Sequence, residues 1–250
     1  MKITVVGCAG SFPNAASAAS CYLLEAEGFR LVIDMGNGAF GALQRYVSFD
    51  EIDAVCLSHL HGDHCLDLGA FAIARHYAPG GPRPPVPVYG PRGTAERLAP
   101  VFGLVADELA DRFTIRELKP GPAAIGPFAI TTEHMNHPVE TFGFRVEHQG
   151  WTLAYSADTG ESDALVRLAR DVDLMLCEAS FLDDPGNTPD VHLSARQAGG
   201  HAAKAGARDL VLTHLVAMND PARSLAEAAG VFSGPVSLAA PGKVFGPGAL

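Results

Sequence analysis

The stretch CLSHLHGDHC, residues 56–65, decides how this chain is read. Three histidines, His59, His61 and His64, fall with Asp63 inside six positions, directly after the apolar run IDAVCL. If that run is a strand reaching into the cluster, His59 and His61 project to one side, because strand side chains alternate with period two. Gly62 permits a sharp turn, and Asp63 and His64 then face the same cavity from the start of the next helix. One short loop thereby offers four metal-binding side chains. Imidazole and carboxylate donors without paired cysteines favour zinc, manganese or iron over an iron–sulfur cluster. Cys56 and Cys65 flank the cluster but are left out of the ligand set, since Cys56 points away from His59 on an extended strand.

Working outward, three later segments end an apolar strand pattern on a side chain of the same kind. They are His137 in MNHPVE, Asp158 in YSADTG and His214 in VLTHL. Together with the cluster they make five histidines and two carboxylates, enough for two ions that share one bridging carboxylate.

The rest of the chain can build a frame for such a site. Of 250 residues, 48% are hydrophobic, which is enough to bury a full core. Glycine and proline punctuate apolar segments rather than forming a tract, so they mark turns. Strand patterns fall at 3–6, 21–25, 31–33, 52–58, 86–89 and in RFTIREL, FAITTEHMN, TFGFRVEH, WTLAYSAD, VDLMLCEAS and RDLVLTHL, with short ones in PVSLAA and KVFG. Helical patterns lie between them, among them CLDLGAFAIARHYA, where Leu66, Ala70, Ile73, Ala74 and Tyr77 make an apolar stripe. Strands are too dense for a series of βαβ units, and the helices too regular for a pure sandwich. Two sheets covered by helices on their outer faces account for both.

Charge narrows the partners. Lys and Arg number 18 against 28 acids, a net charge of -10, which disfavours a surface that grips a nucleic-acid backbone. Small anionic substrates stay open, because a bound metal adds positive charge that composition does not count. Five cysteines, an odd number with no close pairing, point to buried thiols in a reducing compartment. The opening MKITVVGCAGS reads as a strand and loop rather than a leader, and no run of eighteen apolar residues follows. The expectation is a cytoplasmic protein with no membrane partner.

HLHGDH resembles the HxHxDH signature of the metallo-β-lactamase fold superfamily, and His137, Asp158 and His214 follow in that family's order. The resemblance spans essentially the whole chain. It implies an α+β fold, the four-layered αββα sandwich, as a single domain over residues 1–250. It implies two divalent metal ions, with Zn2+ the first expectation and Mn2+ or Fe2+ the alternatives. His59, His61 and His137 bind one ion, Asp63, His64 and His214 the other, and Asp158 bridges them. A homodimer is also implied.

One more pair bears on chemistry. His192, in DVHLSARQAGG, precedes Ser194, a plausible helix cap, and Glu178 ends the strand LMLCEAS. By residue type alone they read equally as a surface-loop histidine and an ion-paired glutamate. CEASF, HLSARQAG and LVLTHL, with GCAGSFP near the start, are similar to the ribonuclease Z and phosphodiesterase branch. That resemblance makes Glu178 and His192, with Asp63, catalytic residues, His192 being the acid that protonates the leaving group. It also has Gly7 and Gly10 bring backbone close to the site.

Only twenty residues separate His137 from Asp158, where the resemblance would put the long tRNA-binding arm of typical ribonuclease Z proteins. The short segment and the acidic balance point to a small substrate rather than a stable nucleic-acid partner. CLDLGAFAIARHYAPG, SADTG and CEASF look most like the actinobacterial-type cyclic nucleotide phosphodiesterases. The activity this implies is hydrolysis of 3′,5′-cyclic AMP to the 5′-nucleotide. The alternatives are an arm-less RNA 3′-end endonuclease and a lactone or thioester hydrolase of the same fold. His148 and His201 read as ordinary surface histidines, and Asn219 and Asp220 as pocket lining or a helix-start turn.

Overall fold

The structure is a computed structural model that describes residues 1–248. Its strands pair into two mixed sheets. In the first, β1 (Lys2–Ala9) runs beside the two-residue β2 (Ala18–Ala19) and pairs antiparallel with β3 (Cys21–Ala26), which pairs antiparallel with β4 (Phe29–Ile33). From β4 the sheet continues in parallel through β5 (Ala54–Cys56), β6 (Val86–Gly90) and β7 (Phe113–Glu117). The second sheet opens as a meander of β8 (Gly121–Ile125), β9 (Phe128–His134), β10 (Phe142–His148) and β11 (Trp151–Tyr155). It continues in parallel through β12 (Leu174–Glu178), β13 (Asp209–Thr213) and β14 (Val236–Leu238). Finally β15 (Val244–Phe245) returns to the open edge of β1.

Period-two alternation sorts the strand side chains into layers. Val5, Leu24, Ile33 and Cys56 of the first sheet meet Ile130, Phe144, Tyr155 and Leu176 of the second in a shared core. Their neighbours Val6, Leu23, Val32 and Val55 face outward, under α1 (Ala39–Leu43), α3 (Leu68–His76) and α4 (Thr94–Leu98). On the far side, Ala154, Met175, Cys177 and Leu212 lie under α5 (Asp163–Leu168), α6 (Ala195–Ala205) and α7 (Pro221–Ala229). Helix, sheet, sheet and helix make the four layers expected from the sequence.

Two buried hydrogen bonds cross between the sheets near one edge. The Tyr22 hydroxyl lies 2.6 Å from Thr213 Oγ1, and the Tyr155 hydroxyl donates to Asp34 Oδ2 at 2.9 Å. Thr213 is one residue from His214, Tyr155 three from Asp158, and Asp34 follows the end of β4. The sheets are therefore pinned together where the candidate site residues gather.

Two expectations need correction, and one strand carried no signal. Strand β8 has no apolar alternation because it is the edge of its sheet, and its middle residues are exposed. The helix after the cluster is two helices, α2 (Gly62–Cys65) and α3, so the expected stripe is out of phase. Leu68, Phe71 and Ala72 are buried, while Ile73 and Tyr77 are 52% and 74% exposed. His148 and His201 are buried rather than superficial: His148 Nε2 lies 3.0 Å from Glu27 Oε1, and His201 Nε2 accepts from the Ser162 N–H at 3.1 Å. Their burial left no period in the sequence, since each is held by partners far along the chain or by a helix carbonyl.

Candidate metal centre

The strand ends converge. His59 and His61 follow β5, and Asp63 and His64 ride on α2, as the cluster's spacing implies. His137 lies between β9 and β10, Asp158 follows β11, Glu178 ends β12 and His214 follows β13. Four non-glycine residues at this edge, Ser11, Asp34, Ala157 and His214, have left-handed backbone, φ between 53° and 62°. Such turns are disfavoured for L-residues and persist where surrounding bonds hold them. Gly10 abuts this edge, where a Cβ would stand 2.5 Å from the His214 carbonyl oxygen, whereas one at Gly7 would meet the backbone of Ala19. The expected backbone approach thus applies to Gly10.

The side chains fall into two groups whose potential ligand atoms lie within 4.8 Å of one another: His59, His61, His137 and Asp158, and Asp63, His64, Asp158 and His214. In the first, His61 Nδ1 is 3.1 Å from His59 Nε2 and 3.2 Å from His137 Nε2. In the second, His214 Nε2 is 3.3 Å from His64 Nε2 and 3.1 Å from Asp63 Oδ2. Asp158 stands between: Oδ2 is 3.7 Å from His59 Nε2, and Oδ1 is 3.3 Å from His64 Nε2 and 3.5 Å from His214 Nε2.

The fit to cations is tested by what the donors lack. Asp158 is buried, yet its Oδ1 has no hydrogen-bond partner among the described residues. A carboxylate oxygen without a donor, ringed by imidazole nitrogens, is costly unless positive charge compensates it. The outward ring nitrogens of four of the five histidines, by contrast, are engaged. His59 Nδ1 is 3.0 Å from Ser58 Oγ, and that hydroxyl donates to Asp34 Oδ2, so it accepts from the ring. His64 Nδ1 lies 2.8 Å from Asp34 Oδ2, and His137 Nδ1 donates to the Val191 carbonyl at 2.8 Å. His214 Nδ1 lies 2.7 Å from Ser180 Oγ. Holding one nitrogen of each of these four rings turns the other inward, as metal-binding histidines require. The residues fit a binuclear centre of two divalent ions.

Electrostatics agree. Burial, reinforced by His64, pushes His59 well below the ordinary imidazole range, and burial also lowers His61 and His137. Neutral imidazoles are the form that binds metal. For Asp158 burial favours the acid, but His214, His64 and His59 overcome it and hold the carboxylate ionised. At His64 burial is outweighed by Asp158 and Asp34, which raise its basicity.

Beside the second group stands the other expected pair. His192 Nδ1 is 2.8 Å from Glu178 Oε1 and 3.9 Å from Asp158 Oδ2. Glu178 is fully buried; its Oε1 also accepts from the Thr159 N–H at 2.9 Å and its Oε2 from the Ser180 N–H at 3.0 Å. Burial opposes the imidazolium of His192, yet the hydrogen bond and charge of Glu178 raise it above its usual range. Ser194 caps α6 as its sequence context implied, accepting from Gln197 N. Cys56 sits in the core between the sheets and Cys65 in the outer core, both away from the cluster.

Sequence reasoning missed the braces. Asp34 is fully buried and accepts from Ser58 N at 2.7 Å, Ser58 Oγ at 2.8 Å and Tyr155 at 2.9 Å, besides facing His64. Its signal was present: LVID ends an apolar strand on an acid, the pattern that singled out Asp158. Ser58, Ser180 and the Val191 carbonyl carried no such signal. Asp220 caps α7, while Asn219 turns inward and donates to the Ser180 carbonyl at 2.8 Å.

Known proteins share this arrangement of chain. Residues 30–215, which contain all nine expected site residues, match the β-lactamase superfamily domain. A protein of Mycobacterium tuberculosis is 43% identical over 94% of this chain and 88% of its own. The probable metallo-hydrolase YhfI of Bacillus subtilis is 34% identical over 98% of this chain and 99% of its own. Its crystal structure superposes with a TM-score of 0.89, covering 98% of both chains at 32% identity. Ribonuclease Z of Mycolicibacterium gilvum is 30% identical over 88% of this chain and 86% of its own. Among the described residues no helix is long and apolar enough to cross a membrane. With its layered sheets and two clustered ligand groups, the chain belongs to the β-lactamase superfamily as a metal-dependent hydrolase of the metallo-β-lactamase fold, related to ribonuclease Z.

Proposed function

We propose that this hydrolase is a phosphodiesterase that breaks a P–O3′ bond. In this reading His59, His61 and His137 hold one ion, Asp63, His64 and His214 the other, and Asp158 serves both. When bound, two such ions supply a nucleophilic hydroxide at neutral pH and neutralise charge on the phosphoryl group.

The observation that carries the reading is the Glu178–His192 pair. A 3′-alkoxide is a strongly basic leaving group and needs a proton as it departs. His192 gives Nδ1 to Glu178, so the proton to be donated is the one on Nε2. Glu178 is fixed by the N–H groups of Thr159 and Ser180, so it holds both the ring's orientation and its charge. After the P–O3′ bond breaks, the oxygen keeps the His192 proton and the phosphate keeps the oxygen from water. Carbonyl ester hydrolysis has less need of an acid so placed.

Two diesters release this 3′-oxygen. An RNA cut that leaves a 3′-hydroxyl is favoured by the relatives, since a ribonuclease Z aligns over most of both chains. Hydrolysis of 3′,5′-cyclic AMP to the 5′-nucleotide is favoured by the residues between His137 and Asp158, which are spanned by the hairpin of β10 and β11. A cavity of about 260 Å³ beside His192 also favours it, because Glu161 and Asp190 line it and repel a polyanion more than a singly charged ligand, Asp183 being paired with Arg196. We place the RNA cut first, because the relative's likeness covers 88% of this chain, while hairpin and charge bear only on how a substrate is gripped.

The test is turnover by metal-loaded protein on bis(p-nitrophenyl) phosphate, a tRNA precursor with a 3′ trailer, cyclic AMP and a lactone. Cleavage of the diesters without the lactone is expected, and the better natural substrate decides between the two. Lactone hydrolysis with all three diesters intact would sink the reading.

A further inference from the structure

Ser180 belongs to neither ligand group, and the reaction proposed above asks nothing of its side chain, yet it touches both the second ligand group and the Glu178–His192 pair. It lies two residues past the end of β12 and is 2% exposed. Its N–H donates to Glu178 Oε2, and its carbonyl accepts from Asn219. Its hydroxyl oxygen stands 3.1 Å from the His214 carbonyl oxygen and 2.7 Å from His214 Nδ1. A hydroxyl carries one proton, and a carbonyl oxygen can only accept. With that proton given to the carbonyl, the serine oxygen must accept from Nδ1. The ring hydrogen is then on Nδ1, and the lone pair lies on Nε2, the atom facing Asp63, Asp158 and His64.

We propose that Ser180 is a positioning residue that fixes the Nδ1–H tautomer of His214 and so readies Nε2 for the second ion. His214 has particular need of it. The residue's φ is 53°, so its backbone turns through a region that a side chain disfavours. By gripping carbonyl and ring of one residue, the hydroxyl holds the turn and the imidazole together, while Asn219 and Glu178 hold Ser180. Ser58 plays a similar part at His59, where its proton goes to Asp34 and its oxygen accepts from the ring. A serine hydroxyl committed to a fixed acceptor thus selects the tautomer on each side of Asp158.

The inference rests on the metal-centre reading, and the test separates the two. Metal-free wild type, Ser180→Ala and Ser180→Thr are titrated with zinc, and the ring nitrogens of His214 are followed by 15N NMR. Wild type should take two ions. Ser180→Ala should keep the first and bind the second about 10- to 100-fold more weakly, while Ser180→Thr, which keeps the hydroxyl, should stay within a few-fold of wild type. In metal-free wild type His214 should show a protonated Nδ1 and a bare Nε2, a measurement that needs no variant. Two ions bound as tightly by Ser180→Ala as by wild type, or a wild-type ring protonated at Nε2, would overturn the inference alone. Failure of wild type to take a second ion would overturn the metal-centre reading, and the role of Ser180 with it.

Discussion

The two halves of the centre use the same kinds of side chain but are held differently. Around His59, His61 and His137 the braces are neutral: the Ser58 hydroxyl, and the Val191 carbonyl in the loop before α6. His61 is half-buried, and burial leaves all three rings less basic than usual. The half formed by Asp63, His64 and His214 is anchored instead on a buried carboxylate. Asp34 sits behind His64 and gathers Ser58 and Tyr155 as well, so that half is tied to both sheets. One half therefore rests on a carboxylate directly, while the other meets it only through Ser58 and, at His137, depends on a loop keeping its place. Only Asp158 belongs to both.

Removing Asp158 should erase the difference. Asp158→Ala takes away the carboxylate that faces His59 on one side and His64 and His214 on the other. Metal analysis should find both ions depleted, and turnover should fall by about 10³-fold or more, since nucleophile and charge neutralisation are lost together. A variant that retains one tightly held ion and most of its activity would show that the halves do not depend on a shared ligand.

His192→Ala should spare both halves, because its Nδ1 is engaged by Glu178 rather than by the clusters' inward atoms. Ion content should match wild type, while turnover of an alkoxide-releasing diester should drop by about 10²- to 10⁴-fold. Bis(p-nitrophenyl) phosphate should lose much less, because its phenolate leaves without a proton. Equal losses on the two substrates would remove the acid from the mechanism.

The same contrast explains what was legible in the sequence. His59, His61, Asp63 and His64 lie in six consecutive positions because one strand–turn–helix delivers them, so spacing alone exposes them. His137, Asp158 and His214 are scattered, but each lies within three residues of the end of a strand, and the rule that strand ends build sites recovers them. Asp34 obeys the same rule and was overlooked only because its work is to hold a ligand. Ser180 lies inside CEASF, a stretch that carries the resemblance, yet its type and spacing give it no role, and the Val191 carbonyl has no signal. A serine two residues past a strand has no distinguishing pattern, and a backbone oxygen has none at all. The layering of the fold was legible from alternation, whereas β8 was not, because an exposed edge strand has nothing to alternate.

Asp34→Ala should strike one half more than the other. It leaves Ser58 and Tyr155 without their buried acceptor and His64 without its brace. Breaking a buried charged network this way costs about 3–5 kcal/mol, readable as a lower urea midpoint. Among molecules that remain folded, the second ion should bind about 10- to 100-fold more weakly, and the first should weaken less, because His59 meets Asp34 only through Ser58. Equal weakening of both ions would mean that the anionic scaffold does not belong to one half.

The smallest expected effect lies in the two tyrosine bonds that cross between the sheets. Tyr155 donates to a carboxylate, and Tyr22 bonds with the neutral hydroxyl of Thr213. Both rings are buried, and they lie 5.0 Å apart between centroids, so replacement by phenylalanine changes hydrogen bonding with little change in packing. A bond to a charged group contributes about 1.5–3 kcal/mol, against about 0.5–1.5 kcal/mol for a neutral pair. Tyr155→Phe should therefore destabilise the fold more than Tyr22→Phe in urea unfolding. Tyr155→Phe should also weaken the second ion slightly, because Asp34 loses a donor that fixes its orientation, whereas Tyr22→Phe acts on Thr213 and reaches His214 only through the backbone. If Tyr22→Phe costs as much as Tyr155→Phe in both measurements, the carboxylate is no better an anchor than a hydroxyl, and the asymmetry between the halves must come from burial alone.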